Sequence, residues 1–85
     1  TRAAAVATHI GGLSKVANVL PAETNIVIFD LTPDAPTAAE LVIACRQDGI
    51  VIGAFGERRI RIVTHLDVDD QAVEALCRSL TRHLG

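Results

Sequence analysis

The sequence predicts an α+β fold built on a small three-stranded antiparallel sheet, order 1-3-2, with helices on one face. Two observations point there. Runs rich in β-branched residues alternate with apolar residues at helical spacing, and proline or glycine falls where one period gives way to the other. A crossover helix separates the first two strands, whereas a short turn separates the second from the third. Crossover strands run parallel, so a third strand slotted between them is antiparallel to both.

The first segment, residues 1–19, reads as a helical lead-in. Ala3, Val6, Ile10, Leu13 and Val16 recur at helical spacing, with Gly11-Gly12 as a break or turn. Its start carries no capping residue in a convincing context, which suggests a piece of a longer chain. Residues 20–85 then form an αβ sandwich, opened by a turn at Leu20-Pro21-Ala22-Glu23. Thr24–Leu31 is a strand, with Ile26 and Ile28 on one face and Val27, Phe29 and Leu31 on the other. Both faces are apolar, so the strand should be central or covered on both sides.

Thr32-Pro33-Asp34-Ala35-Pro36 is a loop. Thr37 with Glu40 makes a capping box for a helix that runs to Asp48 and buries Ala38, Leu41, Val42 and Cys45. Gly49 closes it in the left-handed position past the C-cap. Ile50–Ala54 is a short strand, Phe55-Gly56-Glu57 a turn, and Arg59–Leu66 the third strand. On that strand Ile60, Ile62, Thr64 and Leu66 face one way, and Arg59, Arg61, Val63 and His65 the other. Asp69 caps the last helix, whose stripe is Val73, Leu76, Cys77, Leu80 and Leu84.

Composition narrows the function classes. Within 85 residues the hydrophobic fraction is 49%, and the aliphatic residues supply it, with two Phe and no Trp, Tyr or Met. Such a core suggests a piece that docks against something larger. The formal charge of −2 and the absence of stacking aromatics beside the arginines argue against a nucleic-acid surface. No apolar run reaches the roughly 20 residues a membrane span needs. No long apolar leader is visible, so a cytoplasmic protein is expected. Cys45 and Cys77 read as buried thiols, and no metal-ligand spacing occurs. Lys15, the single lysine, is a poor Schiff-base candidate.

Four groups of residues invite a chemical reading. Arg61 could bind a carboxylate or phosphate bidentately, or pair with Glu57, Asp30 or a helix carboxylate. Arg58 and Arg59, near the turn, should be solvated. His65 shares the Arg61 face but lies about 13 Å along the strand, too far to act on one atom. His65 with Asp67 could form an oriented base. Thr64 and Ser79 lack any nucleophile motif, so a structural joint to the last helix is the better reading. His9 and His83 should be surface residues. Asn25 fits a turn, and Gly53-Ala54-Phe55-Gly56 lacks the strand-to-helix context of a phosphate loop.

Three motifs carry a family likeness: Thr24-Asn25-Ile26-Val27 opening a strand, Asp48 through Gly56, and above all Arg61-Ile62-Val63-Thr64-His65-Leu66-Asp67-Val68. Together they resemble the C-terminal small domain of low-specificity L-threonine aldolases, pyridoxal-phosphate enzymes of fold type I. The similarity runs from about residue 20 to the end. It implies that the chain, residues 1–85, is the C-terminal small domain of a lyase that cleaves L-threonine and L-allo-threonine to glycine and an aldehyde. It also implies a homotetramer, with pyridoxal 5′-phosphate held mainly by a large domain outside this sequence. One site residue carries over: Arg61, which would hold the substrate α-carboxylate. His65 and Asp67 match the motif as structural positions, and Lys15 does not match the Schiff-base motif. By the same resemblance this chain alone supplies no catalytic and no cofactor-binding residue. A β-eliminating lyase of the same fold type, and a stand-alone α+β module binding a small acid, are the alternatives.

Overall fold

The computed structural model describes residues 2–21, 25–64 and 69–85. The elements are α1 (Arg2–Gly11), β1 (Val16–Val19), β2 (Ile26–Leu31), α2 (Ala38–Gln47), β3 (Gly53–Ala54), β4 (Arg59–Val63) and α3 (Asp70–Leu84). The four strands form one antiparallel sheet in the order β1-β2-β4-β3. Its last three strands are those expected from the sequence, in the expected order, and the helices pack on one face.

The fourth strand corrects the reading of residues 1–19 as a helix. The helix ends at Gly11, and the chain turns through Gly12 and Leu13, whose amides bond to the His9 and Ile10 carbonyls. Val16–Val19 then pairs with the free edge of β2. Val16 and Val19 are spaced like helical neighbours, and a bulge explains why that spacing also suits a strand. The register shifts between Val16 and Asn18, so Val16 opposes Leu31 and Val19 opposes Phe29. One extra residue in the strand turns a separation of three into a shared face. Both valines therefore pack on the core.

That core lies between the sheet and the helices. Val27, Phe29, Leu31, Ile60 and Ile62 point into it from β2 and β4. Ala3, Val6 and Ile10 meet them from α1, Ala38, Leu41 and Cys45 from α2, and Leu76, Leu80 and Leu84 from α3. Cys45 and Cys77 are free thiols, the first buried and the second half-buried, and burial raises the pKa of both.

Local chemistry fixes the helix ends as expected. The Thr37 hydroxyl accepts from the Glu40 amide while the Glu40 carboxylate accepts from the Thr37 amide. At the other end of α2, the Gly49 amide donates to Arg46 and the Ile50 amide to Cys45. This double closure needs a left-handed residue, and Gly49 has φ +81°. Asp69 accepts from the Ala72 amide and caps α3.

Polar ties lock the helices together. The Asp48 carboxylate accepts from the Ser79 hydroxyl at 2.8 Å and from Arg82 Nη1 at 2.8 Å, and it meets His83 Nε2 at 3.1 Å. His9 Nε2 lies 2.7 Å from Thr81 Oγ1, which links α1 to α3. His9 is an exposed surface residue, as expected, and His83 is half-buried; both have partners. Ser79, Asp48 and His83 have the composition of a catalytic triad but the wrong connectivity. The carboxylate stands between hydroxyl and imidazole, and Ser79 is 2% exposed, so no base reaches the hydroxyl.

Candidate functional site

The sheet face away from the helices carries the candidate site. Alternation along β2 and β4 places Asp30, Ile28 and Ile26 on this face opposite Arg59, Arg61 and Val63. These three cross-strand pairs decide the fate of the two arginines. Arg59 faces Asp30 and forms a bidentate bond, Nε to Oδ1 at 2.6 Å and Nη2 to Oδ2 at 3.1 Å. The guanidinium holds the Asp30 carboxyl below the ordinary aspartate range.

Arg61 faces Ile28 on one side and Gly53 of β3 on the other. Neither neighbour offers an acceptor side chain, and glycine leaves space beside the guanidinium. Among the described residues the Arg61 side chain has no hydrogen-bond or ion-pair partner, and it is exposed. The ion pairs weighed for it do not form: Asp30 is taken by Arg59. Arg61 is thus a strand-mounted cation that no described residue compensates, beside Ile26, Ile28 and Val63 and next to the closed Arg59–Asp30 pair.

Two open clefts meet at this residue. One, of about 420 Å³, is walled by Leu20, Pro21, Ile26, Ile28 and Phe55 together with Arg61. The other, of about 510 Å³, runs between β3 and β4 and includes Val51, Phe55, Arg61 and Val63. Both volumes lie in the range of small-molecule sites. Phe55 and Arg61 are the residues common to the two.

The turn beside the clefts is held from behind. Arg58 was expected in solvent, but its Nη1 donates to the Thr32 carbonyl at 3.0 Å and to the Ala35 carbonyl at 3.1 Å. The Ala38 amide donates to the Glu57 carbonyl, and the Phe55 amide to Arg59. Gly56, with φ +119°, supplies the backbone conformation that closes the turn. Arg58 and Arg59 are therefore structural clamps, and their neighbour two positions on is left free.

The other candidate residues fall elsewhere. The Thr64 hydroxyl and amide both donate to the Asn25 carbonyl. Thr64 thus ties β4 to the start of β2, not to the last helix. Asn25 occupies a turn, as its sequence context implies. His65 and Asp67 lie outside the described residues. Lys15 Nζ sits 3.6 Å from the Asp34 carboxylate and lines neither cleft at Arg61. No cluster of metal-ligating side chains occurs among the described residues.

The Asp48 hub and the Arg59–Asp30 pair were not legible as such. Each depends on which elements become neighbours, and the only signal for the second was the acid near the end of one strand and the base near the start of another.

Comparison with known proteins bears on the fold and its setting. No family model matches the chain. It is 29% identical over 91 aligned residues to the 8-amino-7-oxononanoate synthase of Mycobacterium leprae, from strains Br4923 and TN. The alignment covers 99% of this chain and 24% of the relative, so the chain spans about a quarter of that protein's length. Among solved structures it superposes on the ornithine δ-aminotransferase of Plasmodium falciparum with a TM-score of 0.76 at 7% identity. That match covers 98% of this chain and 21% of the aminotransferase. The ornithine aminotransferase of Plasmodium yoelii superposes with a TM-score of 0.75, also at 7% identity, over 96% of this chain and 22% of its own. The likeness to these structures is one of fold. The α+β fold, an antiparallel sheet with helices on one face, is shared with these aminotransferases.

Proposed function

We propose that this chain is the small domain of a pyridoxal-phosphate enzyme and that Arg61 holds the α-carboxylate of its amino-acid substrate. The observation that carries this reading is the isolation of Arg61, a strand-mounted guanidinium between Ile28 and Gly53 with no partner of its own among the described residues. A rigid fork of donors in an apolar cleft favours a planar anion, and two parallel N–H···O bonds fix its orientation. Holding the carboxylate sets the plane of the substrate's α-carbon, the centre at which the cofactor withdraws electrons when bound.

The cofactor of this reading is pyridoxal 5′-phosphate, supported by the fold and by the synthase relative. Among the described residues none builds a cradle for it. Lys15 is engaged with Asp34 away from the clefts, and Gly53–Gly56 joins two strands instead of leading into a helix. Its binding groups belong to a large domain outside residues 1–85, which would be this domain's first partner; a homotetramer is the expected assembly.

At the level of reaction, the Arg61–Val68 motif favours an aldolase that cleaves L-threonine and L-allo-threonine to glycine and an aldehyde. A second reading, a synthase, is favoured by the likeness to the Mycobacterium leprae protein. The assay separates them. The full-length protein with pyridoxal phosphate is expected to release glycine from L-threonine, with Arg61→Lys restoring only part of the activity that Arg61→Ala loses. Formation of an amino ketone without glycine release would replace the aldolase by the synthase. Unchanged kinetics in Arg61→Ala would remove the arginine's role in either.

A further inference from the structure

The cleft beside Arg61 says what kind of group should accompany the carboxylate. Around the smaller opening, Leu20 and Pro21 stand at the end of β1, Ile26 and Ile28 on β2, and Phe55 on the β3–β4 turn. Arg61 is the one charged residue in that wall. Among the described residues of that wall, no second cation is present to take a second acid, and no carboxylate to take an amine. Next to Arg61 these residues offer a ligand only hydrocarbon. The matching chemistry is an amino acid with an uncharged side chain, branched or aromatic, rather than an acidic or basic one.

Phe55 is the large hydrophobic of this wall that the described residues leave most exposed. Its side chain is 58% exposed although it is one of the chain's two aromatics. Its backbone, by contrast, is fixed by the Phe55–Arg59 hydrogen bond and by the clamps behind the turn. A large apolar ring held out of the core on a rigid mount, bordering both openings at Arg61, is placed to touch a ligand.

We infer that Phe55 is the specificity-determining wall of the Arg61 site and selects amino acids with a bulky, uncharged side chain. This rests on Arg61 being the carboxylate anchor, but not on which reaction follows. The ring would add its face to the contact area of a bulky side chain and little to that of a methyl group. It excludes water from the guanidinium as it does so, which strengthens the carboxylate bond.

Equilibrium binding to the full-length holoenzyme tests it, with L-phenylalanine and L-alanine as probes and calorimetry as readout. The wild type should bind L-phenylalanine more tightly than L-alanine. Phe55→Ala should weaken L-phenylalanine roughly tenfold and change L-alanine by less than about twofold. Phe55→Leu, which keeps an apolar wall, should retain most of the preference. An unchanged ratio between the two amino acids in Phe55→Ala overturns the assignment. Equal weakening of both also overturns it, because that reports damage to the anchor rather than to the wall. Arg61→Ala supplies the separate control: it should weaken both probes alike, and if it weakens neither, the anchor itself is wrong and the wall falls with it. The absence of glycine from threonine would remove the aldolase reading and leave this comparison standing.

Discussion

The two faces of β2 and β4 both carry aliphatic residues, but only the outer one carries charge, and they are put to different uses. On the helix side, Val27, Phe29, Ile60 and Ile62 are at most 3% exposed and form the centre of the core. On the other side, Ile26, Ile28 and Val63 are only half-buried and surround a charge that nothing in the described chain neutralises. Part of the difference lies in the strands, since Asp30, Arg59 and Arg61 stand only on the open face. The rest comes from what the other elements supply: three helices, all on one side. The uncovered side is free to meet a ligand or another domain. A second contrast lies within it. Arg59 and Arg61 share a strand, a face and a charge, and the residue opposite decides that one is a clamp and the other is available.

The largest effect should separate the faces themselves. Phe29→Ala opens a cavity under the helices and should cost about 3–5 kcal/mol, whereas Ile28→Ala on the open face should cost about 1 kcal/mol. Amide exchange over β2 and β4 in the full-length protein reads both. Comparable losses would mean that the open face is as firmly packed as the core in the complete protein.

The next test sets the arginines against each other. Arg61→Ala should lower kcat/KM by about 2–4 kcal/mol, roughly 30- to 1000-fold, with little change in thermal midpoint. Arg59→Ala should do the opposite, lowering the thermal midpoint by leaving Asp30 unpaired while changing kcat/KM only slightly. A thermal loss in Arg61→Ala as large as that in Arg59→Ala would show that both arginines are structural.

The smallest effect concerns acid. Asp30 is held below the ordinary aspartate range by Arg59, and Asp48 by its bonds from Ser79 and His83. Folded-state pKa values below the unfolded ones mean that both carboxylates stabilise the fold at neutral pH. That contribution is lost as pH falls from about 4 through the lower folded values. Asp48→Asn should flatten the acid limb of a stability-versus-pH profile, and Asp30→Asn should flatten it again on the open face. An acid limb identical to the wild type in both would mean that neither carboxylate is coupled to folding.

Much of this architecture is legible in the residues. Thr37 and Glu40, Gly49, and Asp69 mark helix ends because caps and closures act within a few residues of themselves. The alternation in Ile26–Leu31 and Arg59–Val63 sorts the two faces because a strand has a period of two. The spacing of Leu76, Leu80 and Leu84 fixes the inward side of α3 for the same local reason. Arg61 is visible as a candidate on those grounds, and the Arg61–Val68 motif adds the carboxylate role as an expectation.

Only the tertiary structure decided the pairings. Val16 and Val19 satisfy a helical spacing and a bulged strand equally well, and the vacant edge of β2 settled the choice. Arg58 and Arg59 look solvated until the Thr32–Ala35 loop and Asp30 arrive beside them. Asp48 reads as a helix end until α3 brings Ser79, Arg82 and His83 to it. The residues by themselves determined the elements and their inward faces, because periodicity and capping are short-range. Which charge is cancelled and which is left for a ligand depends on neighbours distant in sequence. Register supplied Asp30 to Arg59 and gave Arg61 only an isoleucine and a glycine.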